Sequence, residues 1–200
     1  MAPMSHIETG SRTSSSTSAA RTSSGASGTD PWTVAPEAVD SPAAAALWRT
    51  YYTEVSDRYY LLHEKRRTAP EELEREIAAE TGDDLRAPGG VLLVARYAGE
   101  PAGTAGVRLM DDMKGARTAE LKRVFLREDM RGKGGAALLL AASEDAARAL
   151  GAEQIVLDTR LDLVEARALY ARHGYEESEP LTERMYAECW YVKQLAPAAG

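Results

Sequence analysis

Residues 127–137, which read REDMRGKGGAA, hold the residue types best suited to binding a ligand. Glycines allow successive backbone N–H groups to turn toward one point, and a helix that begins there adds the positive end of its dipole. Basic side chains add further positive charge. The segment therefore predicts a phosphate or pyrophosphate site formed by Arg131, Gly132, Lys133, Gly134, Gly135 and Ala136.

Two other interpretations of these glycines remain open. A glycine-rich turn between a strand and a helix can occur without any ligand. The spacing Gly132-x-Gly134-x-x-Ala137 also fits a dinucleotide-binding Rossmann fingerprint, with Asp158 at the end of the next strand. A Rossmann first strand is nearly all apolar, whereas three charged residues interrupt this one: Glu120, Lys122 and Arg123. The dinucleotide interpretation is therefore disfavoured.

The glycine segment is positioned by the elements on either side of it. A β-rich run covers Ala119 to Leu126, and a helix is predicted from about Gly134 to Leu150, closed by Gly151. Another apolar strand is predicted over Gln154 to Thr159. Strand, loop and helix thus form the unit that must hold the site.

Helical signals appear at three other places. Apolar residues step by three and four from Ala45 to Leu62, which predicts a long helix. Two further helices, ending near Gly82 and Gly174, are each preceded by the spacing of a capping box: Thr68 with Glu71, and Asp162 with Glu165.

The remaining elements are strands. They are predicted at 32–34, as a hairpin over 91–110, as a short strand from Tyr175, and over Met185 to Leu195. The chain then contains about seven strands and about four helices. This order predicts a mixed-sheet α/β or α+β layered domain.

Composition sets the domain organisation. The 200 residues are 44% hydrophobic and 28% charged, which suits one globular domain with a real core. Residues 1–30 are rich in Ser and Thr and are expected to form a disordered tail, since such a segment cannot offset its ordering entropy by burial. The folded domain is expected to span residues 31–196.

Charge and cysteine content disfavour several functions. The 24 basic and 31 acidic residues give a net charge of −7 without a basic stripe, which argues against nucleic-acid binding. No apolar run is long enough to span a membrane. Cys189 is the only cysteine, so a cytoplasmic location is expected and no metal site is predicted.

Several motifs together resemble the GNAT superfamily of acyl-CoA N-acyltransferases. The run RGKGGA matches its arginine/glutamine-x-x-glycine-x-glycine/alanine loop, with Arg131, Gly134 and Ala136 at the matching positions. AELKRVFL resembles the fourth strand of that family, and residues 157–177 resemble its next strand, helix and strand. MYAECWYVKQL resembles its closing strand.

The resemblance implies a mostly antiparallel sheet whose fourth and fifth strands splay apart, with acetyl-CoA as cosubstrate in the gap. The pantetheine arm would pair with the backbone of Val124, Phe125 and Leu126, and the pyrophosphate would lie on residues 131–136. It further implies direct attack by a small-molecule or peptide amine in a ternary complex. A homodimer through the closing strand is left open.

Two side chains are candidates for the chemistry. Tyr170 matches the general-acid position of the family and could protonate the departing thiolate, although a tyrosine at a helix end can also simply pack on the sheet. Glu120, on the strand that leads into the loop, is the candidate base, or else a salt-bridged residue beside Lys122 and Arg123. Backbone N–H groups near Val124–Leu126 are the expected oxyanion donors.

One position departs from the family pattern. Many relatives carry Asn or Gln seven residues before the tyrosine, and here that residue is Leu163. The acyl acceptor is not identified by the sequence. A non-catalytic CoA-binding sensor or partner module is the alternative function, and its signature would be a missing acid or base.

Overall fold

The computed structural model describes residues 31–113, 115–181 and 186–196. Its seven strands are β1 Trp32–Glu37, β2 Gly90–Tyr97, β3 Glu100–Leu109, β4 Thr118–Leu126, β5 Gln154–Thr159, β6 Glu176–Ser178 and β7 Cys189–Gln194. Its four helices are α1 Pro42–His63, α2 Pro70–Ala79, α3 Gly135–Ala149 and α4 Val164–Arg172. The disordered tail predicted for residues 1–30 lies outside the described residues.

The strands form one mixed sheet in the order β1-β2-β3-β4-β5-β7-β6. Every neighbouring pair is antiparallel except β4 with β5, which run parallel. The predicted α/β class, with seven strands and four helices, is therefore confirmed. β7 pairs with β5 over its whole length and with β6 at Trp190, Tyr191 and Val192, so these three residues have strand partners on both sides.

The sheet is covered on both faces. Leu139, Leu140 and Ala147 of α3 are fully buried against one face, with α4 beside them. On the other face, Leu47 of α1 packs with Val94 and Phe125. Adjacent β2 residues alternate between the two cores, as the period of a strand requires. The two helical layers therefore enclose the strand ends where the glycine segment begins.

Helix starts are the main point where the structure differs from expectation. The predicted capping boxes are wrong, because α2 begins after Ala69 and α4 after Leu163, and neither start has a side-chain cap. Asp162 instead accepts hydrogen bonds from Arg160. Arginines compete effectively for a carboxylate that an isolated helix would use as a cap.

Strand boundaries differ more modestly. β1 runs past the predicted strand at 32–34 and through Pro36, since an edge strand tolerates a residue without an N–H donor. β7 begins at Cys189 rather than Met185, and Met185 itself lies outside the described residues. Among the described helices, none has the length and apolar character needed to cross a membrane.

Candidate active site

A gap in the sheet opens beside the glycine segment. β4 and β5 pair only over Thr118–Glu120 and Gln154–Val156. Beyond Glu120, β4 continues to Leu126 and β5 to Thr159 without pairing to each other. One side of the β4 backbone is thereby left available to pair with an extended ligand, as the resemblance implied.

A β-bulge shapes the β4 side of this gap. Lys122 pairs with Gly106 and Phe125 with Thr104, so β4 carries one more residue than β3 between these pairs. Arg123 in the bulge adopts a φ of 53°, in the left-handed region that non-glycine residues rarely occupy. The bulge lets Lys122 and Phe125 lie on the same face of the sheet, the one that α1 covers, although the two residues between them would place them on opposite faces of a regular strand.

The glycine segment has the backbone geometry of an anion site. Gly132 and Gly134 have φ values of 74° and 87°, and Gly134 is the N-cap of α3. Gly135 has a packing role, because a Cβ there would lie 2.4 Å from the Trp32 ring. The Trp32 indole also donates a 2.8 Å hydrogen bond to the Lys133 carbonyl. Trp32 thus fixes the loop at the start of α3.

Arg131 is held across the mouth of the gap. Its Nε donates to the Leu126 carbonyl at 3.0 Å, and its Nη2 lies 2.5 Å from a carboxylate oxygen of Glu54 on α1. Both side chains are more than one-third exposed, so the ion pair can exchange partners when a stronger anion binds. The guanidinium is therefore positioned to meet a phosphate.

The first of two cavities, here called the glycine-loop cavity, has a volume of about 460 Å³. Most of the predicted cofactor residues line it: Val124, Phe125, Leu126, Arg131, Gly132, Gly134 and Ala136. Lys133 and Gly135 are not among its lining residues, and the Lys133 ammonium lies 5.2 Å from the centre of the Tyr97 ring instead. Tyr170 lines the same cavity.

The second cavity, here called the α1–α2 cavity, has a volume of about 480 Å³. Tyrosines of α1, the C-terminal end of α2 and Tyr186 form its outer wall, and Glu120 lies in its β4 wall. The two cavities share eight residues: Tyr51, Val55, Leu121, Lys122, Arg123, Asp158, Thr159 and Leu163. Two ligands could therefore meet at this shared wall.

Tyr170 lies near the end of α4 and is only 6% exposed. Its ring packs against those of Tyr175 and Tyr191, with centroids 5.7 and 5.9 Å away. Burial raises the pKa of its hydroxyl, with smaller contributions from Tyr51 and Asp158. The hydroxyl is consequently protonated at neutral pH, which is the state that a proton donor needs.

Glu120 is only 3% exposed and faces α1. Arg108 of β3 contacts it, with 2.5 Å between Nε and a carboxylate oxygen. Asp84 lies 3.3 Å from Arg108 and 2.9 Å from Lys122, which extends the charged group along the sheet. Glu120 is therefore salt-bridged, as one prediction had it, although its partner is Arg108. It also lies in the cavity wall, where a catalytic base would have to be.

Asp158 was predicted only as the acidic residue at the end of a strand, in the dinucleotide interpretation. It lies near the carboxyl end of β5 and lines both cavities, whereas Glu120 lines only one. The signal was a charged residue within an apolar strand, next to the predicted gap. Leu163, where relatives carry an amide, also lines both cavities and is the N-cap of α4.

Comparison with known proteins identifies the family. The profile of the acetyltransferase (GNAT) family matches residues 47–175. The uncharacterized N-acetyltransferase YjgM of Escherichia coli is 30% identical over 141 residues, which cover 68% of this chain and 77% of YjgM. The chain therefore belongs to the GNAT acetyltransferase family.

Solved structures share the fold. PaiA N-acetyltransferase from Thermoplasma acidophilum, solved with coenzyme A, has a TM-score of 0.60 at 12% identity, covering 82% of this chain and 98% of its own. An acetyltransferase from Streptococcus agalactiae has a TM-score of 0.59 at 18% identity, covering 84% and 100%. A GNAT acetyltransferase from Elizabethkingia anophelis with acetyl-CoA bound has a TM-score of 0.52 at 18% identity, covering 84% and 100%.

Proposed function

We propose that this protein transfers an acetyl group from acetyl-CoA to a primary amine by direct attack within a ternary complex. The observation that carries this proposal is the pair of cavities that share a wall at the β4–β5 gap. A direct transfer requires both substrates to be bound at once with their reacting atoms in contact. The acceptor is a small molecule or a peptide amine.

The glycine-loop cavity fits acetyl-CoA. Left-handed glycines at 132 and 134 turn the loop toward the start of α3, where a pyrophosphate is favoured by N–H groups and the helix dipole. Arg131 would exchange Glu54 for a phosphate oxygen, while Lys133 and Gly135 would contribute backbone N–H groups. The unpaired β4 backbone over Val124, Phe125 and Leu126 would bond the amides of the pantetheine arm.

The chemical roles follow from the positions of two side chains. Glu120, directly or through water, takes a proton from the acceptor ammonium, and the neutral nitrogen then attacks the thioester carbonyl. Backbone N–H groups near Val124–Leu126 stabilise the developing oxyanion. As the carbon–sulfur bond breaks, Tyr170 donates its proton to the leaving sulfur. The nitrogen of the new amide then gives its second proton to the Tyr170 phenolate, so the result is a neutral N-acetyl product and free CoA, with the first proton of the ammonium on Glu120.

A covalent acyl-cysteine route is less consistent with the structure. Cys189 is only 2% exposed in β7, and burial raises the pKa of its thiol. A raised pKa reduces the fraction of nucleophilic thiolate at neutral pH.

A cytoplasmic location, expected from the single cysteine, stays a prediction.

Calorimetric titration with acetyl-CoA, CoA, NAD and NADP, followed by thiol-release assays over a panel of amines, tests the proposal. We expect binding of the CoA species alone and initial-velocity lines that intersect when both substrates are varied. Parallel lines would contradict direct transfer. Binding of CoA without transfer to any amine would support the non-catalytic module, and binding of NAD or NADP would overturn the cofactor assignment.

A further inference from the structure

Arg123 stands out because its charge is buried and incompletely paired. The side chain is only 4% exposed, and the residue sits in the β4 bulge with a left-handed φ of 53°. Backbone conformations of this kind cost energy and cluster at functional sites. The fold therefore holds a guanidinium at a strained position in the wall that both cavities share.

Packing fixes the guanidinium in place. It stacks over the Trp48 ring at 4.3 Å, and Tyr52 lies 5.9 Å away. Gly82 leaves room for this stack, since a Cβ there would come within 2.4 Å of Trp48 and 3.2 Å of the Arg123 Nη1 atom. The aromatic stack leaves the arginine little freedom to turn toward solvent.

The hydrogen bonds of this guanidinium are incomplete. Nη2 donates to one carboxylate oxygen of Glu80, the residue that ends α2. Nε and Nη1 are buried and have no acceptor among the described residues. A buried arginine normally has its N–H groups satisfied, so unused donors beside a cavity indicate a missing acceptor.

We infer that Arg123 binds a carboxylate of the acyl acceptor, which makes the acceptor an amine of the amino-acid class. This inference rests on the proposed acetyl transfer. A guanidinium can bond both oxygens of a carboxylate in parallel, whereas Glu80 now supplies only one oxygen to one nitrogen.

The surroundings suit an acceptor that carries both charges. Glu120 lies three residues before Arg123, and Asp158 faces the same shared wall from β5. The acidic side chains would meet the amino group while Arg123 meets the carboxylate. The phosphates of acetyl-CoA are assigned to the glycine loop, which follows the end of β4 at Leu126, whereas Arg123 lies within the strand and also lines the α1–α2 cavity.

The test compares acceptors that differ only in the carboxylate. Thiol release is measured for L-amino acids and for the corresponding amino-acid amides, with acetyl-CoA saturating. We expect kcat/KM to favour the free acids by about 10- to 100-fold, the usual effect of a hydrogen bond to a charged group. A wild-type enzyme that uses the amides equally well or better would overturn the inference.

Variants of Arg123 locate the preference. Arg123→Met should raise KM for the free acids and leave kinetics on the amides nearly unchanged, and Arg123→Lys should restore part of the preference. Arg49→Met is the control. Arg49 pairs with Glu74 of α2, as Arg123 pairs with Glu80 at the end of α2, but Arg49 does not line either cavity. Equal losses on acids and amides would make Arg123 merely structural.

Two further measurements keep the test decisive. If Arg123→Met does not fold, Glu80→Gln should lower KM for the free acids a few-fold by releasing Nη2, and an unchanged KM would contradict the inference. If acetyl-CoA binds but no amine is acetylated, the proposed function fails on its own. Calorimetry with N-acetyl amino acids and their amides then decides whether the carboxylate is bound.

Discussion

The Tyr170 hydroxyl is kept protonated by its buried position beside the glycine-loop cavity. We expect Tyr170→Phe to lower kcat by about 100-fold or more while the Kd for acetyl-CoA stays nearly constant, because the proton is needed only as the bond breaks. Thiol-release kinetics and calorimetry measure the two quantities. Wild-type turnover in the variant would remove Tyr170 from the mechanism.

Ionisation of Tyr170 also gives a pH prediction. The acid form is the active one, so its loss can reduce the rate only as pH rises through the pKa of the hydroxyl. Since burial raises that pKa above the ordinary tyrosine value of about 10, the kcat profile should show no alkaline fall below about pH 10 from this group. An alkaline limb near pH 8 that disappears in Tyr170→Phe would contradict this assignment.

Glu120 and Asp158 can be separated as candidate bases. We expect Glu120→Gln to lower kcat/KM by about 100-fold at neutral pH, and Asp158→Asn to lower it less. The deficit should shrink as pH rises toward the pKa of the acceptor amine, because the amine then loses its proton without help. A deficit that is constant with pH, and that Arg108→Met reproduces, would show that the ion pair is structural.

At the scale of elements, glycine is required at position 134 of the loop because of its backbone conformation, and not because a side chain would clash with neighbouring atoms. Gly134 has a φ of 87° with open space around its Cβ position, so Gly134→Val is unfavourable chiefly because of strain at the start of α3. We expect this variant to lose acetyl-CoA binding in calorimetry. Gly115→Val is the matched control, since Gly115 also has a positive φ, of 82°, with open space around its Cβ position, lies before the opposite end of β4 and should retain affinity.

The second helix is attached in an unusual way. α2 has no fully buried residue, and side-chain bonds join it to α1: Arg49 to Glu74, Ser56 to Glu76 and Tyr60 to Glu72. The contact of Arg49 is exposed and the other two are part-buried, and polar contacts without apolar burial on α2 stabilise weakly. Hydrogen exchange followed by mass spectrometry should therefore show less protection in α2 than in α3, and equal protection would contradict this interpretation.

Elements were predictable where local pattern decides them. The stripe from Ala45 to Leu62 predicted most of α1, and Gly151 marked the end of α3, where it has a φ of 87°. The cap predicted for α4 was wrong because Asp162 pairs with Arg160 and with Arg58, which is distant in sequence. The cap predicted for α2 was wrong because that helix begins after Ala69 rather than after Thr68. The bulge at Arg123 depends on the register with β3, and no pattern within β4 reveals it.

Site residues divide in the same way. Most of the predicted cofactor residues line one cavity because a contiguous loop and strand supply them. Asp158 and Arg123 were seen only as charges that interrupt or end a strand. The cavity wall that both residues line arises where β4 and β5 separate. The family resemblance implied this separation, but it did not indicate that Asp158 and Arg123 would lie there.

At the scale of the whole molecule, the sheet consists of two sections joined by three residue pairs between β4 and β5. A ligand in the gap contacts both sections and binds only the folded state. At a concentration of about 100 times Kd, acetyl-CoA should raise the Tm by about 5 to 10 °C. Scanning fluorimetry measures the shift, and its absence in wild type despite calorimetric binding would contradict binding to the folded state alone.

The weak attachment of α2 also bears on how this protein can evolve. Glu76, Ala79 and Glu80 line the α1–α2 cavity, yet α2 adds no fully buried side chain to the core. Substitutions there can alter the acceptor surface at little cost in folding free energy. The part of the proposed acceptor surface that α2 supplies is thus encoded outside the buried core, unlike Arg123 and Glu120, so acceptor preferences can change there by point mutation in natural drift and in directed evolution alike.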